Sequence, residues 1–393
     1  MVSWIKKVMV LLNICLSLVM TTGCWNNRDV MQISLAAAVG LDKTDDNKIE
    51  LTVQLVKPSA IKKDQEGSGG KEKAVWVLSS RGDTIFEAVR NTLTTANRKI
   101  FFSHVQLMII GEELAREGIM DVLDFFERDH ETNRKVDILI AKGTTAKEIL
   151  NAESGLEDIA AMHITDILKN DAAVAKIKKI MLLDLLKEID SPGKDPTIGV
   201  IEVVKKEEKL LIKDMKVQGT AVFKKDKLMG WLNPIETRGL LFVEDKVKSG
   251  IINIPNPLDK NKKVAIEMIR SRGKTNVQLK EDKLVLSIEV EEEGNIGEQQ
   301  GNEDLTTPEM VKKLEEEIEE AIEKEIRDVV ELAQKKYKCD IFGFGEIVHK
   351  KHLNYWKQVK DNWNEEFSHI PVEIKVTSRI RRSGLIKNPT KPE

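Results

Sequence analysis

Apolar and polar residues alternate along Ile49-Glu-Leu51-Thr-Val53-Gln-Leu55, the period-two pattern of a half-buried strand, and Val75-Trp-Val77-Leu78 reads as its antiparallel mate. Lys57–Lys73 between them contains Gly67-Ser-Gly69-Gly70 and many charges, which predicts a long mobile loop. Upstream, Ile33–Leu41 is an apolar run rich in Ala and Val. The period then changes. Asp83 is placed to cap a helix whose Ile85, Phe86, Val89 and Leu93 share one face. Phe101–Ile110 reads as a central strand. Glu112–Arg128 reads as a helix turned inward through Leu114, Val122, Leu123, Phe125 and Phe126 and interrupted at Gly118. Val136–Ala141 is a further strand, and Thr144 or Thr145 starts a short helix ending near Leu150. This strand–helix–strand–helix order favours a parallel strand pair covered by helices.

Helical spacing continues from Leu156 to Ile189 and stops at Ser191-Pro192-Gly193 and Asp195-Pro196, the clearest boundary in the chain. Short strands follow at Ile198–Val204, Lys216–Phe223 and Lys227–Leu232, the last two forming a hairpin that turns at Lys225-Asp226. Asn233 caps a short helix with Pro234 at its first position. Strands at Ile251–Ile254, Val264–Arg272, Thr275–Leu279 and Leu284–Val290 precede a polar stretch to Asp304 that reads as an exposed loop. Thr307 and Pro308 open the longest helix, near residues 309–337, with Val311, Leu314, Ile318, Ile322, Ile326, Val329, Ala333 and Tyr337 recurring at steps of three or four. One such stripe suits packing on a sheet of the same chain better than a coiled coil. A tight Phe342-Gly-Phe-Gly345 turn, a helical Ile347–Phe367 and a strand Val372–Ile380 complete the pattern. The predicted fold is α+β, with about three domains of mixed sheets flanked by helices. The expected divisions are an N-terminal α/β domain at 24–192, a strand-rich middle domain at 197–300 and a helix-plus-sheet domain at 305–393. The last two are alternatively one unit, 197–393.

The N-terminus changes where this body is expected to work. Lys6 and Lys7 precede the apolar run Val8–Met20, and the exit Thr21-Thr22-Gly23-Cys24 ends in small residues and a cysteine. A basic start, a short apolar stretch and a small-residue exit make a secretory signal. The Gly-Cys ending resembles the lipobox of bacterial lipoproteins. Cys24 would then receive a diacylglyceryl thioether and an N-palmitoyl group and become the new N-terminus. Two or more acyl chains give stable attachment to a bilayer. Removing residues 1–23 from the 393 leaves 370 and takes the net charge from −3 to −5, because two lysines and no acid are lost. An acidic body gives no reason to expect nucleic-acid binding. Of the three cysteines, Cys15 leaves with the signal and Cys24 would be acylated. Cys339 then stands alone, as a small buried apolar residue and not half of a disulfide.

Enzyme chemistry finds little to stand on. GxSxG, HExxH, GxxxxGK[ST] and an EF-hand loop are all missing from the sequence. Cys339 with His349 and His352 is the best metal-ligand set, but it lacks a fourth ligand and its histidines fall in a lysine-rich helical segment. His104 reads as a hydrogen-bonded core histidine, and Glu291–Glu293 and Glu315–Glu317 as solvated faces. Arg379, Arg381 and Arg382 form a basic cluster suited to lipid headgroups, to an acidic partner or simply to a charged strand edge. No catalytic residue, cofactor or metal is therefore expected.

Several longer motifs point elsewhere. Gly82-Asp-Thr84-Ile-Phe-Glu-Ala-Val89-Arg90, Phe102-Ser-His104-Val-Gln-Leu107 with Gly111-Glu-Glu-Leu-Ala-Arg-Glu-Gly118-Ile119, and Leu123-Asp-Phe-Phe126-Glu-Arg128-Asp129 follow one another in the first half. Gly219-Thr-Ala221-Val-Phe223, Gly230-Trp231-Leu, Glu236-Thr-Arg238-Gly239-Leu240, Asp340-Ile-Phe-Gly343-Phe-Gly345 and Tyr355-Trp356 follow in the second. Together with Gly23-Cys24-Trp25 and Arg28, they resemble the Ger(x)C family, the lipoprotein C subunits of nutrient germinant receptors in endospore-forming bacteria. The resemblance implies a non-catalytic, membrane-tethered α+β protein on the outer face of the spore inner membrane. Its implied partners are a polytopic A subunit and a polytopic B subunit, in a complex that senses a small nutrient. The surface nominated for partner contact combines Phe101–Arg128 with Gly343–Tyr355, through Phe101, Phe102, His104, Arg128, Phe342, Phe344 and Trp356. The alternatives are a lipid-anchored solute-binding protein, which calls for two similar lobes around a cleft, and an envelope hydrolase.

Overall fold

The computed structural model describes residues 2–20, 33–57, 74–129, 131–152, 157, 159–204, 214–281 and 283–382. Cys24 and nearly all of the loop expected at 57–73 lie outside the described residues. Helix α1 spans Val2–Met20, within the stretch expected to be a signal, and no described helix is long and apolar enough to cross a membrane.

Two mixed sheets flanked by helices make up the α+β body. The first has nine strands. β1 (Ile33–Lys43), β2 (Ile49–Val56) and β3 (Val75–Gly82) form an antiparallel meander. β5 (Leu107–Gly111), β6 (Asp137–Ala141) and β7 (Thr197–Val204) continue from β1 in parallel. β8 (Asp214–Lys224) and β9 (Lys227–Leu232) close that edge antiparallel, while short β4 (Lys99–Phe101) pairs with β1. The central strands are apolar throughout because both faces are covered. Leu107 and Ile109 face one core with helices Ala146–Leu150 and Ala160–Leu168, whereas Met108 and Ile110 face the other.

Long-range pairing changes three assignments. Residues 197–232, expected in the strand-rich middle domain, hydrogen-bond into the first sheet through β6 and β7. The strand expected over Phe101–Ile110 is broken by a 3-10 turn at Phe102–His104, closed by the Val105 N–H donating to the Phe102 carbonyl at 3.0 Å. His104 therefore projects outward and is not a core residue. The exposed loop expected beyond Val290 is instead strand as far as Gln299. Arg270 and Arg272 stand directly across from Glu293 and Glu291, so the polar run stays in the ladder.

The second sheet, β10 (Gly250–Asn256), β11 (Asp259–Lys280), β12 (Lys283–Gln299) and β13 (Val372–Arg382), is antiparallel except for the parallel β12–β13 pair. The long amphipathic helix (Pro308–Glu331) buries Leu314, Ile318, Ile322, Ile326 and Val329 against it. Its Glu319 and Glu315 carboxylates accept the backbone N–H groups of Ser378 and Ile380, both at 2.9 Å, which satisfies donors on edge strand β13.

Several motif residues act as packing devices. Thr84, one position beyond the expected Asp83, caps helix Ile85–Asn91 by accepting the Glu87 N–H at 3.1 Å. A Cβ on Gly239 would lie 2.4 Å from the Glu325 carbonyl, so the glycine lets helix Pro234–Val243 approach the long helix. There Arg238 forms a buried bidentate pair with Glu325. A Cβ on Gly230 would lie 2.6 Å from the Tyr337 ring, whose hydroxyl donates to the Trp231 carbonyl at 2.8 Å.

The two sheets are joined through polar groups in the interior. Lys178, fully buried, places Nζ 2.7 Å from both Glu244 carboxylate oxygens. Burial opposes charge on both side chains, yet the neighbouring opposite charges outweigh it, holding the Lys178 pKa up and the Glu244 pKa down. Nearby, the Asp195 N–H donates to the Asp340 carbonyl at 2.8 Å and the Asp340 N–H to Asp195 Oδ2 at 3.2 Å. The Asp340 carboxylate accepts from Phe342, Gly343 and Gly345 N–H and from the Trp363 indole, while burial pushes its pKa up to about 6.

Candidate functional site

A large open groove lies on the first body, between helix α2 (Ile85–Asn91) with the following 3-10 turn and helix α4 (Met120–Arg128). Helix α3 (Glu112–Glu117) precedes α4 and is separated from it by Gly118, whose φ of +142° ends one helix and redirects the next. Ile85 and Ala88 turn into the core, leaving Phe86 56 % exposed and Leu93 45 % exposed. Phe125 is half-buried and stands 6.2 Å from Phe86, centroid to centroid. Ile100 and Phe102, both buried, line the groove with them. The groove's volume is about 1140 Å³.

Charges rim this apolar floor. Arg128 Nε lies 2.8 Å from Asp124, Lys99 pairs with Glu131, and the Arg90 guanidinium sits 5.0 Å over the Phe86 ring. All three cations are thus engaged within the groove. Five carboxylates line it against them: Asp83, Asp121, Asp124, Asp129 and Glu131.

The nominated contact residues divide into two groups. Phe102 and Arg128 line the groove. Phe101 is half-buried beside it, and His104, exposed, lines a separate polar pocket of about 310 Å³ with Lys135, Asp137 and Lys179. Phe342, Phe344 and Trp356 are not on the surface. They belong to the core of the second body, where Phe344 stacks on Phe367 at 6.3 Å and Trp356 packs on Trp363 at 5.5 Å. Asp340 gathers the Gly343–Gly345 turn from below, which draws these rings inward. The residues that sequence reading missed are Phe86 and Leu93, read only as part of one apolar helix face, and Phe125, read as facing inward.

The groove offers apolar surface and fixed charges. Among the described residues, no group of three or more His, Cys, Asp or Glu is arranged to hold a metal. Cys339 is buried, its Sγ donates to the Tyr337 carbonyl at 3.1 Å, and burial pushes its thiol pKa up.

Comparison with known proteins agrees from end to end. Residues 26–203 match the family described as spore germination protein N-terminal domain, and residues 218–384 match spore germination B3/GerAC like, C-terminal. Spore germination protein KC of Bacillus subtilis (strain 168) is 27 % identical over 402 residues, covering 98 % of each chain. Spore germination protein B3 of the same organism is 26 % identical over 369 residues, covering 93 % of this chain and 95 % of its own. The crystal structure of the GerBC protein shares the fold, with a TM-score of 0.57, 20 % identity, and coverage of 87 % of this chain and 96 % of the other.

Proposed function

The chain belongs to the spore germination B3/GerAC-like family, and on that premise we propose that it is the lipid-anchored C subunit of a germinant receptor. The observation that carries the reading is the match of both halves of the chain, in order, to the two domains of one spore germination family. The subunit works by protein–protein contact and without catalysis. Cys24 holds it, through its diacylglyceryl and palmitoyl chains, on the extracytoplasmic face of the spore inner membrane. Its partners are the polytopic A and B subunits, and the small nutrient is sensed by the assembled complex.

A solute-binding protein is disfavoured, because sheets of nine and four strands are not two similar lobes around a cleft. The test is affinity purification of the tagged chain from detergent-solubilised spore inner membranes. Two polytopic proteins in comparable amount are expected. Recovery of the chain alone, after mild cross-linking in intact membranes, refutes the subunit reading. For the anchor, Cys24→Ala is expected to release a folded body into the aqueous fraction, and full retention on membranes refutes lipidation.

A further inference from the structure

We propose that the groove between α2 and α4 is the docking site for an amphipathic helix of a partner polypeptide, one with a ridge of large apolar side chains and flanking Lys or Arg. The inference rests on the subunit reading and names the chemistry of the contact.

Three observations lead to it. First, Phe86 and Leu93 leave large apolar surface in water beside half-buried Phe125, at one place and above a buried apolar floor. Clustered exposure of this kind marks an interaction surface, whereas scattered apolar residues do not. Second, the two facing walls are helices α2 and α4, whose backbone groups are bonded within the helix, while short β4 contributes the Lys99 and Ile100 side chains to the floor. Recognition by those walls therefore falls to side chains, which is the helix-in-groove mode. A helix about 10 Å across fills roughly 120 Å³ per residue, so the 1140 Å³ groove is large enough to seat a short helix.

Third, the charge on the rim selects the partner. Five carboxylates face three cations, and each cation is already occupied, by Asp124, Glu131 or the Phe86 ring. The imbalance is negative. Asp121 at the mouth is exposed, and the Asp83 carboxylate lies 3.8 Å from half-buried Lys48. A partner with basic flanks meets this rim favourably, and an acidic one is repelled.

Photo-cross-linking in intact membranes tests the inference, with p-benzoylphenylalanine replacing Leu93 in the full-length tethered chain and mass spectrometry of the joined peptides. The expected product joins Leu93's position to one segment of a co-purifying polytopic subunit, apolar at helical spacing and carrying Lys or Arg at its margins. Phe86→Asp in the same chain should lower that yield at least about tenfold, the effect of a charge set in a desolvated contact centre. Phe86 is exposed, so the circular dichroism spectrum and melting temperature of the variant should match wild type. Ile251→Asp, an equally exposed apolar site on the second sheet, should leave the yield unchanged. Cross-links only to lipid, only to a second copy of this chain, or to an acidic or non-helical segment overturn the proposal. So does an undiminished yield with Phe86→Asp. If the polytopic subunits still co-purify in those cases, the subunit reading stands while the groove assignment falls. If wild type brings none of them, it is the subunit reading that fails.

Discussion

Glu292 gives the fold a pH dependence that one substitution should remove. The residue lies on β12, on the face turned towards the long helix, and is only 1 % exposed. Its Oε2 accepts the Ser378 hydroxyl at 2.6 Å, while Oε1 is buried with no hydrogen-bond partner. Burial comes first among the causes that push its carboxyl up to about 7 from 4.5, and the nearby carboxylates of Glu293 and Glu315 add to it against the Ser378 bond. A raised folded-state value means that the stabilising form is the protonated one. Its contribution is complete below the unfolded value near 4.5 and is lost as pH rises through about 7. Between those limits the folded state loses about 3 kcal/mol from this group, at about 1.4 kcal/mol per pH unit. Glu292→Gln keeps an acceptor for Ser378 and cannot ionise. Urea unfolding of both proteins between pH 4.5 and 8 should show the variant gaining on wild type steadily as pH rises. Asp340 titrates in the same direction, with its carboxyl up at about 6, but it is common to both proteins and cancels in the difference. A constant difference across that range would refute the assignment of a protonated carboxyl to this position.

Other interior groups make sharper demands on stability. Arg238→Ala leaves Glu325 charged and buried beside the Gly239 contact, and should cost about 3–5 kcal/mol in unfolding free energy by urea titration. Lys178→Met removes the closest cation from Glu244 at the junction of the two sheets but leaves Lys246 at 3.2 Å, so the fall in melting temperature by calorimetry should be smaller than for Arg238→Ala. Gly345→Ala puts a methyl 2.5 Å from the Gly193 carbonyl and 2.6 Å from the Trp363 indole nitrogen, so the variant should lose several degrees of melting temperature. Gly143→Ala meets nothing within 4 Å and carries only the strain of φ at +65°, about 1 kcal/mol, which makes it the control.

How much of this was readable depends on the range of the interaction that decides each element. The hairpin turning at Lys225-Asp226, the Asn233 cap with Pro234, and the stripe of the long helix are set by neighbours within a few residues, and the chain spells them out. The placement of residues 197–232 is decided by pairing with β6, some sixty residues upstream, and an alternating segment carries no mark of which sheet it joins. An apolar run likewise does not disclose a break such as the one at Phe102–His104, where buried turn and buried strand have the same composition. Phe86, Leu93 and Phe125 illustrate the limit most directly. Periodicity reports that a stripe is apolar and is silent on whether anything in the same chain covers it. The aromatic residues near 342–356 misled in the opposite sense. A dense motif there reflects a carboxylate and two glycines building a tight core, Gly193 included: a Cβ on it would lie 2.6 Å from Trp356.

That core bears on how the proposed receptor subunit would move. A hinge between the sheets would have to part Lys178 from Glu244 inside the protein and break the two hydrogen bonds between Asp195 and Asp340, one backbone to backbone and one from the Asp340 N–H to the Asp195 carboxylate. Separating a buried ion pair alone costs about 3–5 kcal/mol, and a partner can shift such an equilibrium only by its difference in affinity for the two states. Burial of the Trp356 and Trp363 cluster against the Gly193 segment adds further resistance. The groove, by contrast, lies on the outer face of the first body and can be filled without disturbing any of these contacts. A partner helix seated there would hold or displace the two sheets together, so the physical role that fits this architecture is a rigid element that positions its neighbours.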